Sequence, residues 1–246
     1  MNKKRKFGFR VFVSMFAFSV IFSYVVNSSL FEKSEKPWHM QPFTNEDVLA
    51  ASYTDQYEVL EKIGNRFIDT SRVNVRILVD AWGVPFEKAL LEEDFTIFEK
   101  IPHKELLHVR MANRTRHAEF AELRNLTGKG IYLFGGDSLE YGRNLYIDSL
   151  GYSEKIFCQK RDDTTMLAKL DSAIDSSEET FFALTTQNAR NGAREQLHNT
   201  LASIATLAQK YPKIRFIVQG THRPILGTPE ARKQHYAKWV PLVILN

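Results

Sequence analysis

An α/β fold, with a largely parallel sheet, helices on both faces and one transmembrane helix ahead of it, is what the sequence predicts. Three observations carry this. Short runs of β-type apolar residues alternate with amphipathic stretches from residue 73 to 245, the rhythm of a parallel sheet covered on both faces. Polar side chains follow those runs at once: Asp80 after "RILV", Thr185 and Thr186 after "FFAL", Thr221 and His222 after "FIVQ". In such sheets ligands bind beyond the carboxyl ends of the strands. Ahead of this region, "VFVSMFAFSVIFSYVV" opens an uncharged stretch that reaches Phe31.

That first element, 11–31, is long enough to span the roughly 30 Å hydrocarbon core at about 1.5 Å per residue. Lys3, Lys4, Arg5, Lys6 and Arg10 precede it, which favours a cytoplasmic N-terminus. No clear small-x-small cleavage site follows, which favours an uncleaved single-pass anchor over a cleaved signal peptide. The remainder is then expected on the periplasmic or extracellular side of a bacterial cytoplasmic membrane. The same five residues explain the net charge of +4. Without them 28 basic residues face 29 acidic ones, so nothing in the body calls for a nucleic-acid partner. Residues 32–72 read as a polar linker followed by a helix opened by Asn45, and 73–246 as the folded domain.

Within the domain each element has its own signal. Val73 to Val79 reads as a strand, "FEKALLEEDFTIFEKI" as an amphipathic helix, "LLHVRM" as a strand, and "RHAEFAELRNLTG" as a helix closed by Gly128. "GIYLFGGD" is a strand with a glycine turn, and "EKIFCQ" a strand. "TTMLAKLDSAIDSS" is a helix, "TFFALTTQ" a strand, and "REQLHNTLASIATLAQKYP" a long helix stopped by Pro212. "KIRFIVQG" and "WVPLVIL" are the last strands. The single cysteine, Cys158, forms no internal disulfide and reads as a packing residue.

The polar residues at strand ends admit two readings each. Asp80 suits a hard cation or a helix cap. His222 suits an imidazole ligand or a hydrogen-bonded turn. Thr115 in "NRTRHAEFAEL" is either an N-cap or a nucleophile at the positive end of a helix, where an attacked phosphate is favoured. Arg114, Arg116, His117 and, after the glycine turn, Arg143 are either solvated surface or a phosphate-binding set.

The order of these segments resembles the alkaline phosphatase/sulfatase superfamily, and within it the membrane-anchored lipoteichoic acid synthase-like phosphoglycerol and phosphoethanolamine transferases. The residues that carry the resemblance are Asp80, "RTRHAEF", "FGGDSLEYGRNLYIDSLGYSE", "FFALTTQNARNG" and "LASIATLAQKYPKIRFIVQGTHRP". The resemblance implies a divalent ion (Mn, Mg or Zn) held by Asp80, Thr115, Thr221 and His222. It implies Thr115 as a nucleophile forming a phosphothreonine-type intermediate on a phospholipid head group or glycan phosphate. Arg143 and Asn188 fall at substrate-facing positions of the family, and Arg116 and His117, the cationic neighbours of Thr115, are expected to bind substrate with them. A sulfatase proper is not implied, because "RTRHAEF" lacks the Cys or Ser of a "C/S-x-P-x-R" context. The pattern also departs from the family. Thr221 stands where a metal-binding aspartate is usual, Asn188 where a histidine is, and family domains continue past a strand like "WVPLVIL". Two functions follow: a membrane-anchored, metal-dependent phosphotransferase or phosphodiesterase, or an inactive relative that binds a phosphorylated glycan or an envelope partner, its metal site weak or lost.

Overall fold

β1 (Asn74–Val79) runs through the middle of a seven-stranded sheet. The structure, a computed structural model, describes residues 67–109, 114–125, 128–136, 140–159, 162–191, 193–225, 233–237 and 239–246. The expected membrane segment and the helix from Asn45 lie outside them, the latter up to residue 66. No helix among the described residues is long and apolar enough to cross a membrane.

The chain continues through α1 (Lys88–Thr96), β2 (His103–Val109), α2 (Thr115–Glu122) and β3 (Ile131–Gly135). Two 3-10 turns (Glu140–Leu145 and Ile147–Leu150) lead to β4 (Glu154–Cys158), α3 (Asp163–Ser176) and β5 (Phe181–Thr185). A third 3-10 turn (Asn188–Asn191) precedes α4 (Arg194–Lys210), β6 (Arg215–Gly220) and β7 (Trp239–Leu245). The strand order is β2-β7-β6-β1-β5-β3-β4. β4, β3, β5, β1 and β6 pair in parallel, while β7 pairs antiparallel with both β6 and β2. The expected largely parallel sheet is therefore present, with one reversed strand.

Strand periodicity divides the core. Val75, Ile77 and Val79 of β1 pack with Leu91 and Phe95 of α1, Met166 and Leu170 of α3 and Leu201 and Ile204 of α4. Leu78 faces the opposite side, with Ala118 and Leu123 around α2, Tyr132 and Phe134 of β3, and Tyr146, Ile147 and Leu150 of the 3-10 turns. Ile217, Leu242 and Ile244 form a smaller cluster with Phe67 and Ile68. Successive side chains of a strand point to opposite faces, so a run that is apolar throughout feeds both layers. Cys158 is buried, as read from the sequence.

Register brings the candidate residues to one edge. Leu78 is level with Thr185, and Val79 with Gly220. Asp80, Thr186 and Thr221 therefore leave the sheet side by side. Their backbones continue the ladder, with Thr186 N–H donating to Leu78 O (2.9 Å) and Thr221 N–H to Val79 O (3.0 Å).

Candidate functional site

Beyond the strand ends, two threonine hydroxyls take over from backbone carbonyls. Asp80 N–H donates to Thr186 Oγ1 and Ala81 N–H to Thr221 Oγ1, each at 3.1 Å. These bonds hold the turn after β1 in a conformation that side chains disfavour, with Ala81 at φ 58°, a cost of about 1–3 kcal/mol. The turn also presses on the one after β6. A Cβ on Gly220 would lie 1.8 Å from Trp82 O, and one on Gly83 would lie 2.6 Å from Arg223 Cα. Both positions require glycine.

Asp80 is buried and faces a cleft of about 390 Å³ lined by Asp80, Arg114, Thr115, Arg116, Tyr141, His222 and Ile225. Thr115 Oγ1 donates to Asp80 Oδ1 at 2.8 Å, and Thr221 Oγ1 donates to the same oxygen at 2.9 Å. His222 Nδ1 lies 2.6 Å from Arg223 O, which only accepts, so Nδ1 carries a proton. That bond turns His222 Nε2 into the cleft, 3.1 Å from Thr115 Oγ1 and 3.4 Å from Asp80 Oδ1. Asp80, Thr115, Thr221 and His222 thus meet at one point, drawn from two strand ends and a helix.

Thr115 is the first residue of α2, and Arg114, not Thr115, is its N-cap. No side chain caps that end and no acid lies in its first turn. The first amides of a helix have no partner within it, and with the helix dipole they favour an anion. Arg114 and Arg116 flank this end. His117 sits on the exposed side, not in the cleft wall. Partial burial, then Arg114 and Arg116, holds its imidazole below the usual range.

Two substrate positions implied by the resemblance lie elsewhere. Arg143 is fully enclosed. Its Nε and one terminal nitrogen donate to the two oxygens of Glu119 (3.1 and 2.6 Å), and the other terminal nitrogen donates to Gly135 O (3.0 Å). It touches one of the cleft residues, Tyr141, whose ring lies 4.7 Å from its guanidinium carbon. Asn188 is half-buried, and its N–H donates to Asp163 Oδ2 at 3.1 Å. It is not among the cleft residues.

Tyr141, Glu119 and Thr186 complete the surroundings; the sequence marks Thr186 as a polar residue at a strand end but points to neither Tyr141 nor Glu119. Tyr141 adopts φ 57°, and its hydroxyl points at Asp80 Oδ2 from 3.4 Å. Its signal was its place beside Gly142 in a glycine-rich turn. Glu119 lies one helical turn after Thr115, on the same face. It accepts from the Tyr146 hydroxyl as well as from Arg143.

A divalent ion held by this cluster, as the superfamily implies, meets a poor donor set. The strong ligands are one carboxylate, Asp80, and one imidazole, His222. The Thr221 oxygen already accepts an N–H, and its proton is committed to Asp80. Among the described residues no three His, Cys, Asp or Glu side chains stand close enough to share an ion. The described residues do not fit a resident divalent cation.

Comparison with known proteins establishes the fold. A protein of the alkaline phosphatase superfamily from Vibrio parahaemolyticus aligns over 79% of this chain and 69% of its own, with a TM-score of 0.53 and 11% identity. The C-terminal periplasmic domain of EptC from Escherichia coli aligns over 71% and 72%, at a TM-score of 0.49 and 10% identity. The lipoteichoic acid synthase LtaP from Listeria monocytogenes aligns over 77% and 71%, at 0.49 and 9%. No protein-family model and no curated protein matches the sequence. The chain has the alkaline phosphatase superfamily fold.

Proposed function

We propose that this chain, built on the alkaline phosphatase superfamily fold, is an extracytoplasmic phosphotransferase or phosphodiesterase with Thr115 as its nucleophile. In this reading residues 11–31 anchor it to the membrane, and its substrate is a phospholipid head group or a glycan phosphate. The observation that supports it best is the placement of Thr115. Its hydroxyl opens an uncapped helix, faces the cleft, and has two proton acceptors within 3.1 Å. A nucleophile beside a base that is itself oriented by a third group is the arrangement covalent catalysis requires. Here Arg223 O orients His222.

The chemistry follows from those positions. A phosphodiester phosphate rests against the first amides of α2 and between Arg114 and Arg116, which offset its charge. Thr115 Oγ1 forms a bond to phosphorus as the ester bond to the departing alcohol breaks. The hydroxyl proton passes to Asp80 Oδ1 or His222 Nε2 and from there to the alkoxide that leaves. An acceptor hydroxyl or water then displaces Thr115 by the reverse sequence. Tyr141, within reach of Asp80, forms one wall. No step is assigned to a metal.

The test uses bis(p-nitrophenyl) phosphate and the full chain. Wild-type protein should release nitrophenolate and carry a phosphoryl adduct on Thr115 by mass spectrometry. Thr115→Ala should lose at least about 10³-fold in rate, a lower bound against the roughly 10⁶-fold loss that removing a nucleophile can cause. Equal rates for the two proteins would end this reading. The inactive binding protein is favoured by one observation, the hydroxyl of Thr221 in place of a carboxylate. It predicts saturable binding of a phosphorylated glycan with neither turnover nor adduct.

A further inference from the structure

We infer that Thr221 makes the Asp80 cluster a closed, hydrogen-bonded unit that holds no resident divalent cation, and that this one side chain separates it from a metal centre. The inference concerns the cleft read above as the working site, but it is tested without substrate.

Charge and hydrogen-bond accounting carry it. Asp80 Oδ1 accepts from two hydroxyls, Thr115 at 2.8 Å and Thr221 at 2.9 Å. Thr221 Oγ1 in turn accepts from Ala81 N–H at 3.1 Å. Thr221 is thus a strut between the Asp80 carboxylate and the backbone that carries it. Among the described residues, a dipositive ion in this cleft would face a single negative side chain, with Arg114 and Arg116 adding positive charge at the mouth. Hydroxyls are weak ligands for Mg²⁺, Mn²⁺ and Zn²⁺ beside carboxylates and imidazoles.

A carboxylate at position 221 would reverse each term. It would lie within hydrogen-bond distance of Asp80 Oδ1, where two like charges cannot both be ionised without a cation between them. It would give up the proton that now satisfies Asp80. With His222 Nε2 already turned inward, two carboxylates and an imidazole would converge on one point, a donor set suited to a divalent ion. Thr221 therefore replaces a carboxylate and a cation together with one neutral hydroxyl.

The experiment is calorimetric titration of the purified full chain with Mn²⁺ and with Zn²⁺ at neutral pH, with thermal unfolding in chelator and in metal. The expected result for wild type is weak binding that His222→Ala leaves unchanged, and a melting temperature that does not respond to metal. Thr221→Asp should bind at least about a hundredfold more tightly, taking the upper end of what an outer-shell partner alone changes as a lower limit. That gain should vanish when His222→Ala is added. If Thr221→Asp is unstable in chelator, recovery of its melting temperature on adding metal supports the inference equally. One-to-one micromolar binding by wild type, weakened by His222→Ala or Thr115→Ala, overturns it. So does a Thr221→Asp chain that neither gains affinity nor responds to metal in unfolding. The nucleophile assay can fail while this result stands, and the reverse also holds.

Discussion

Arg143 and Glu119 show how far a side chain's partner can alter its role. Both are wholly shielded from solvent, and they share a fork of hydrogen bonds. Breaking a buried pair by removing one member strands a charge, which costs about 3–5 kcal/mol. Arg143→Ala should lower urea stability by that amount. Arg143→Lys should not rescue it, because an ammonium cannot reproduce the planar fork. Unchanged stability with weakened substrate affinity alone would return Arg143 to the phosphate-contact role that the resemblance implies. Asp163 is a second buried charge with a different consequence. It accepts from Gln187 N–H, Asn188 N–H and the Thr200 hydroxyl, yet burial outweighs these bonds and raises its pKa. A carboxyl raised on folding adds stability below the ordinary carboxyl range and loses it as pH rises through the raised value. The margin of wild type over Asp163→Asn should therefore shrink between acid and neutral pH. A margin that widens over the same range would show that the hydrogen bonds outweigh burial.

At the scale of elements, β7 is where expectation and structure part. Every domain strand and helix named from the sequence is present, with ends shifted by a few residues. Strand direction was harder to read. Sequence reading names no crossover helix between β6 and β7, and an antiparallel return needs none. β7 lies between β6 and β2, paired to both, and its side chains are buried on both faces. A charge at its fully enclosed Val243 has no partner to meet. Val243→Asp should therefore cost more than about 4 kcal/mol and leave the chain unfolded or aggregated by circular dichroism. A cooperative native melt would show that the sheet tolerates loss of that contact. α2 has a firmer seat. Arg76 from β1 donates to the carbonyl of Glu122 at its C-terminal end, which complements the dipole whose positive end presents Thr115. No periodicity predicts a buried arginine in a central strand.

For the whole molecule, the parts of the site legible in the sequence are those fixed by topology. Asp80, Thr221 and His222 end strands that the sheet aligns, so naming the strands named the neighbours. Arg143, Asn188 and Tyr141 sit in or next to 3-10 turns, where no repeat sets which way a side chain points. Arg143 and Asn188 were accordingly assigned to the cleft and lie outside it, while Tyr141 was passed over and lines it. The convergence also bears on time. The contacts that define the cleft join residues 35, 61, 107 and 141 positions apart along the chain. Closing such loops is entropically costly until the strands between them have paired. A partly folded chain is thus expected to have hydrophobic layers before Thr115, Asp80, Thr221 and His222 are brought together. In refolding, burial of Trp82 and Trp239 should lead, and reactivity at Thr115 should return last. On the reading proposed above, the cleft therefore marks the completion of folding: until the strands have paired, its chemistry stays unassembled.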